Sequence, residues 1–311
     1  MAILADPFDK LTDDLNATFR PQREWIEKRG LFLVTAHFLS GTGAGAWLFS
    51  WLFGISWGLV AGFLLVALGS VAHLVFLGQP RRFWRMIAHP RTSWISRGLI
   101  SIGVFLLFGF LYLLPTYLPG MAWTQADAAG AAMAALTLLG VAGILLYKGF
   151  VYAVSRAIPF WNTPMLPPLY IAYGLRGGIA VLFVGSAYLG ESGALEAAKV
   201  IEPWIVLSTA ILVFFYLAVM KNAGVTPSES IRQLVKGRIS LAFYLGAVLA
   251  GLIVPIALGA VGFFSPLPNG LLLLVGASSL VGDFYIKYCV SKAGIYIPLT
   301  QQLPVRAGRW A

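Results

Sequence analysis

Eight long apolar runs, separated by short polar breaks, fill the chain at roughly residues 31–53, 57–78, 98–118, 128–148, 168–190, 203–221, 239–263 and 268–290. Each is close to the ~20 mainly apolar residues that an α-helix needs to cross the bilayer core. The first two runs form a charge-free block broken only by Gly54-Ile55-Ser56, which predicts a tight helical hairpin. The expected fold is all-α: an integral membrane bundle of eight transmembrane helices over residues 31–290, flanked by a polar N-terminal tail, 1–30, and a C-terminal tail, 291–311. An even number of spans puts both termini on the same side.

Composition supports lipid as the solvent, because 59% hydrophobic residues and 11% charged ones leave more apolar surface than one soluble core of 311 residues can hide. Residues 1–30 run from Asp6, Asp9, Asp13 and Asp14 to Arg20, Arg23, Lys28 and Arg29, so no secretory signal is expected and the first span itself should direct insertion. The single cysteine, Cys289, excludes an internal disulfide and an iron–sulfur cluster held by this chain alone.

Of the 22 Lys and Arg residues, twenty fall in the tails and in the loops after the even-numbered spans; Lys199 alone lies on the opposite side, and Arg176 is inside the fifth run. The positive-inside rule makes the basic face cytoplasmic. The net charge of +10 therefore reports orientation in a membrane and does not call for nucleic acid as a partner. The opposite loops, around Pro119–Asp127, Glu191–Glu202 and Phe264–Pro268, are short and neutral or acidic, so a soluble partner should dock on the basic face.

Polar residues inside apolar runs are costly unless partnered, and each is a candidate for function. His37, His73, Tyr147, Lys148, Arg176, Asp283 and Lys287 all lie toward the ends of their runs that face the chain termini. Each has a bland reading alone: histidine as a helix contact, Arg176 and Asp283 as an ion pair, the lysines snorkelling to the interface, Tyr147 in an aromatic belt. Placed at one depth, they read as a site. A quinone suits it, with an apolar ring and two oxygens that need donors when oxidised and proton acceptors when reduced. His37, Tyr147 and Asp283 are the candidate proton-handling residues, imidazole being able to donate and accept. His37, His73, Tyr147, Lys148 and Arg176 are the candidate binding residues, and no metal site is expected in this chain. The small-residue stretch Ser40–Gly45 serves either close helix packing or a groove for a flat ring. The far half of the bundle shows few titratable groups, so quinone protons are expected to exchange with the basic face.

Two loops carry further signals. Residues 73–98, HLVFLGQPRRFWRMIAHPRTSWISRG, interleave arginines with aromatic residues and prolines; Arg81, Arg82, Arg85, Arg91 and Arg97, with Trp84 and Trp94, are candidates for gripping an acidic partner surface. Residues 147–164, YKGFVYAVSRAIPFWNTP, form a second cap rich in aromatic residues.

The stretches Leu77–Arg85, Pro90–Arg97 and Tyr147–Pro164 resemble the signatures of the NrfD/polysulfide-reductase membrane-subunit family. The resemblance covers the first four spans and the start of the fifth; the last three match in hydropathy alone. It implies a membrane anchor in the bacterial cytoplasmic membrane that binds menaquinone or ubiquinone close to a docked iron–sulfur subunit, itself joined to a molybdopterin catalytic subunit. It further implies that His37 and Tyr147 contact the quinone, with His73 the match to a histidine that matters in related anchors. Val34 or Thr35 stands where some relatives carry an asparagine. Many family members serve catalytic subunits outside the cytoplasmic membrane, whereas the charge distribution places this docking face in the cytoplasm. Rival readings are a haem-b anchor with His37 and His73 as axial ligands, a secondary transporter built on Arg176 and Asp283, and an anchor that binds no quinone.

Overall fold

A computed structural model describes residues 19–118, 120–189 and 195–298. Most of both tails lies outside the described residues, including Asp6, Asp9, Asp13, Asp14, Arg306 and Arg309, as do Pro119 and Glu191. Among the described residues, eight helices are long and apolar enough to cross a membrane.

In chain order the helices are α1 Gly30–Phe53, α2 Ser56–Phe76, α3 Trp94–Tyr117, α4 Ala128–Ala153, α5 Leu166–Leu189, α6 Leu195–Asn222, a short α7 Val225–Val235, α8 Ala242–Phe264 and α9 Asn269–Lys292. A 3-10 segment, Pro80–Ala88, follows α2. The hairpin at Gly54 forms as expected: Gly54 takes a left-handed φ of 70° and closes α1 by donating its amide to Ser50 O. Caps set two helix starts, with Ser93 Oγ accepting from Ser96 N at 3.3 Å and Asp127 Oδ1 accepting from Gly130 N at 2.8 Å.

Three boundaries differ from the sequence expectation for identifiable reasons. The third span begins at Trp94, four residues early, because Ser93 caps it ahead of Arg97. The fourth continues past its expected end at Lys148 and runs on to Ala153. The sixth begins at Leu195, since the charged turn Glu196–Glu202 is helical and Pro203 lies inside the helix. In α8 the first half, Ala242–Ile253, is wound as a π-helix ahead of Pro255, which has no amide to donate to the preceding turn.

Helices α1 and α5 form the centre of the bundle and are its most buried spans. Lipid supplies no hydrophobic drive between helices, so close packing by small residues has to hold them. The glycine run provides it: a methyl at Gly43 would meet Gly62 O at 2.7 Å on α2, and one at Gly45 would collide with Gly174 O on α5. The Ser40–Gly45 stretch is thus a packing seam, and none of it lines the cavity described below.

The segments flanking the first and last spans meet at one end of the bundle. Strand β1, Arg20–Pro21, pairs antiparallel with β2, Ile295–Tyr296. Gln22 Nε2 donates to Ser291 O at 3.0 Å, Lys292 Nζ reaches Glu27 Oε1 at 2.7 Å, and Tyr296 OH donates to Glu24 Oε2 at 3.1 Å. The conspicuous Tyr147–Pro164 segment is fastened to the same region, with Trp161 Nε1 donating to Val290 O at 2.8 Å and Tyr152 OH hydrogen-bonded to Ser291 Oγ at 2.8 Å. Much of that motif therefore locks α4 and its following loop onto α9.

Candidate functional site

A cavity of about 390 Å³ opens where α1, α2, α3 and α4 meet the 3-10 segment. Its wall is mostly apolar, with Leu33, Leu77, Leu99, Ile102 and Leu106 among the lining residues, and its polar groups include His37, His73 and Tyr147. Size and lining both suit a small amphipathic ligand. Leu74 and Ile95 line it while remaining exposed, so it opens toward the lipid-facing surface between α2 and α3. A second, more polar cleft beside β1 is lined by Glu27, Glu229 and Lys292, but these side chains pair with Lys292, Arg232 and Glu27.

The three polar residues touch. His37 and His73 have ring centroids 5.4 Å apart, and the Tyr147 ring stands edge-on to His37 at 6.2 Å. His73 Nδ1 lies 2.9 Å from Gly69 O, and a carbonyl can only accept, so that nitrogen carries a proton. The other nitrogen of a neutral ring is then an acceptor, and Tyr147 OH, 3.2 Å away, donates to His73 Nε2. This fixes the phenol with its proton on His73 and an oxygen lone pair left for a ligand hydroxyl.

Local sequence sets up this arrangement. Gly98, at the end of the first motif, leaves the space that the Tyr147 ring occupies. His73 falls only three residues before the end of α2, at about 5 Å depth, whereas His37 is seven residues into α1, at about 10 Å. His37 is 2% exposed, and its Nδ1 makes no hydrogen bond to another protein group.

Lys148, Arg176, Asp283 and Lys287 are not in the cavity wall and form a second buried group. Arg176, ten residues into α5, is about 15 Å deep and Asp283, nine residues before the end of α9, about 14 Å, so these two lie below the shallow layer expected from sequence, while Lys148 and Lys287 stay at the depth of the cavity residues. The ion pair within this group is Lys287 Nζ to Asp283 Oδ2 at 3.6 Å, while Arg176 Nη2 donates to Ser279 Oγ at 3.1 Å. Lys287 is 2% exposed and thus does not snorkel to the interface. Adjacent helical residues point about 100° apart, which is why Tyr147 enters the cavity and Lys148 does not.

Sequence reading missed Trp25, Met86 and Phe83 as lining residues. Trp25 lies in the polar stretch before α1 and had no apolar context to mark it; the strap from β1 places it against Tyr152 and Trp161, with centroids 5.4 and 5.2 Å away. Glu202, expected in a loop, is a buried carboxyl within α6.

In the basic segment, Arg81, Arg82, Arg85 and Arg91 are exposed, and Trp84 is 59% exposed. Trp94 and Arg97 are instead structural: Trp94 stacks on Phe150 at 4.1 Å, and Arg97 caps the loop through Pro90 O and Arg91 O at 2.8 and 2.7 Å while lying over the Trp94 ring.

A haem would need this pair of histidines rearranged: the bond from His73 Nδ1 to Gly69 O is one that an axial histidine also makes, but Tyr147 occupies Nε2, the nitrogen that would have to face the iron.

Residues 29–298 match the family described as "Polysulphide reductase, NrfD". Among curated proteins, the chain is 33% identical over 142 residues to a sulfite dehydrogenase subunit of Allochromatium vinosum, a match spanning 43% of this chain and 42% of that protein. It is 25% identical over 297 residues to a polysulfide reductase subunit of Wolinella succinogenes, covering 81% of this chain and 90% of the relative. "Protein NrfD" of Escherichia coli is 27% identical over 259 residues, 76% of this chain and 81% of that one.

Proposed function

From the premise that this chain belongs to the polysulphide reductase NrfD family and is a multi-pass membrane protein, we propose that it is the quinone-reactive anchor of a molybdopterin and iron–sulfur oxidoreductase. The observation that carries the reading is the apolar cavity whose polar groups include His37, His73 and Tyr147, closed on one side by an exposed, arginine-rich segment. A quinone or quinol bound there supplies two-electron chemistry coupled to two protons, with the electrons exchanged with an iron–sulfur subunit docked on Arg81, Arg82, Trp84, Arg85 and Arg91.

His37 and Tyr147 orient the head-group oxygens. Tyr147, its own proton committed to His73, accepts from a hydroxyl; His37 is free to donate to a carbonyl or to accept from a hydroxyl. The apolar wall and the opening between α2 and α3 admit a lipid-soluble ligand and exclude bulk water from the reacting oxygens. Menaquinone and ubiquinone both meet these demands. Relatives named as subunits of sulfite dehydrogenase and polysulfide reductase support a catalytic partner of the molybdopterin class. The charge distribution supports a bacterial cytoplasmic membrane with the docking face inside the cell.

The test is binding of a short-tailed quinone analogue to the purified protein in nanodiscs. Wild type should bind saturably, and His37→Ala and Tyr147→Phe should each weaken binding by roughly 5- to 10-fold, about one hydrogen bond's worth. Unchanged affinity in both variants refutes the assignment of this cavity.

A further inference from the structure

The end of the bundle away from the chain termini has a cavity of its own. About 530 Å³ of space lies between the first turns of α6, the last turns of α8 and the start of α9, with Glu196, Lys199, Glu202, Trp204, Gly259 and Phe264 among its lining residues. Trp204 and Phe264 are exposed, so the cavity opens onto the surface that faces lipid. Glu202 is about 10 Å from the start of α6, and Gly259 about 7 Å from the end of α8. Since the first turn of α6 is charged, this is the depth at which head groups give way to acyl chains.

Glu202 is the group in this cavity that the fold leaves unsatisfied. The residue is 5% exposed, and its Oε1 is buried with no hydrogen-bond partner among protein groups. Basic side chains on α6 and α5 are committed elsewhere: Lys199 Nζ donates to Glu196 Oε1 at 2.7 Å, and Arg176 Nη2 to Ser279 Oγ at 3.1 Å. Glu202 Oε2 lies 3.8 Å from where a methyl on Gly259 would be, so the bare Cα of α8 leaves that side of the carboxyl open. A carboxylate beside hydrocarbon is costly unless a cation with hydrogen-bond donors reaches it. Among the described residues no group of three acidic, histidine or cysteine side chains is placed to hold a metal, and a divalent ion needs more oxygen ligands than this carboxyl supplies. A primary ammonium brings three N–H donors and can satisfy both oxygens, whereas a quaternary ammonium has none to give. Lys199, one turn before Glu202 on the same face of α6, uses one of its three protons on Glu196 and has two left for a phosphate.

We propose that this cavity is a phospholipid site that selects a primary-ammonium head group, as in phosphatidylethanolamine, with the ammonium on Glu202 and the phosphate at Lys199. The acyl chains lie along the exposed apolar faces of α6 and α8, and the head group fills the gap between the two helices. A buried acid that opens toward lipid, with a lysine one turn away, is complementary to a zwitterion whose amine and phosphate are joined by a short link. The site is at the opposite end of the bundle from His37 and Tyr147 and does not depend on the quinone reading.

Native mass spectrometry of the intact chain, titrated with phosphatidylethanolamine, phosphatidylcholine and phosphatidylglycerol of matched acyl chains, tests this. Wild type should bind the first at least roughly tenfold more tightly than the other two, the worth of a hydrogen bond to a charged group. Glu202→Gln, which keeps the shape of the side chain, should bring all three to within about twofold of one another. Gly259→Leu, which fills the space before the carboxyl without removing it, should weaken phosphatidylethanolamine roughly tenfold and covers failure of Glu202→Gln to fold. Phosphoethanolamine without acyl chains should bind at least roughly tenfold more weakly than the lipid, because it buries no hydrocarbon. Equal binding of the three lipids by wild type, a preference that survives in Glu202→Gln, or unaltered lipid binding in Gly259→Leu overturns the site. Binding of free phosphoethanolamine as tightly as the lipid would make this a site for a soluble amine and overturn the lipid assignment.

Discussion

Gly98 does not line the cavity, yet the geometry makes it a control point for the proposed quinone site. The methyl of Gly98→Ala would land on the Tyr147 ring, 2.6 Å from Cγ and Cε2 and closer still to Cδ2. Ordinary carbon contacts are about 3.5–4.0 Å, so the ring must retreat by about 1 Å. That carries the hydroxyl from its 3.2 Å hydrogen bond with His73 to a separation at which little bonding remains. Overpacking should cost about 1–3 kcal/mol of stability, and loss of the hydrogen bond about 1 kcal/mol more. For the ligand, one mispositioned neutral donor–acceptor group corresponds to roughly a fivefold weaker Kd. Gly98→Ala should therefore match Tyr147→Phe in quinone-analogue titrations, and the double variant should bind no more weakly than Gly98→Ala alone. Wild-type affinity in Gly98→Ala, or additive losses in the double variant, would refute the claim that α3 positions the phenol through this glycine.

Replacing Arg81, Arg82 and Arg85 together with Ala should lower association with the iron–sulfur partner roughly tenfold, mainly through the on-rate, and flatten its salt dependence; surface plasmon resonance at two ionic strengths reads both. Arg97→Lys loses the planar two-carbonyl cap and the stack on Trp94, so limited proteolysis should cut residues 80–97 faster while quinone affinity changes little. The strap should be acid-sensitive. The hydrogen bond from Lys292 holds the Glu27 carboxyl below its ordinary value of 4.5, so this contact is whole above that pH and is lost as the pH falls through the depressed value. Amide protection at Gln22 and Ile297, taken relative to the intrinsic exchange rate at each pH, should stay constant from neutrality down to that pH and fall below it.

The spans were legible because runs of about twenty apolar residues have few other fates. Their ends were less so where a short cap or a charged first turn decided them, as at Ser93 and at Glu196–Glu202. His37, His73 and Tyr147 could be read because a polar side chain in an apolar run is rare and the two loop motifs flank them. Depth along the sequence placed Lys148, Arg176 and Asp283 with that trio, but depth says nothing of which way a side chain faces. The rotation between neighbouring helical positions separates Tyr147 from Lys148, and the position of α9 separates Asp283 from the cavity. Trp25 was beyond reach of the pattern because its place depends on pairing between residues 20–21 and 295–296, a contact across nearly the whole chain.

That pairing has a consequence for biosynthesis. The indole wall of the cavity is held by groups from Ser291 to Tyr296, which leave the ribosome after the first seven spans. A nascent chain with seven spans inserted already carries both imidazoles and the phenol, but has no finished chamber around them. On the proposed function, redox competence would therefore arrive only with the final helix, and a chain terminated before it would offer a quinone no finished site.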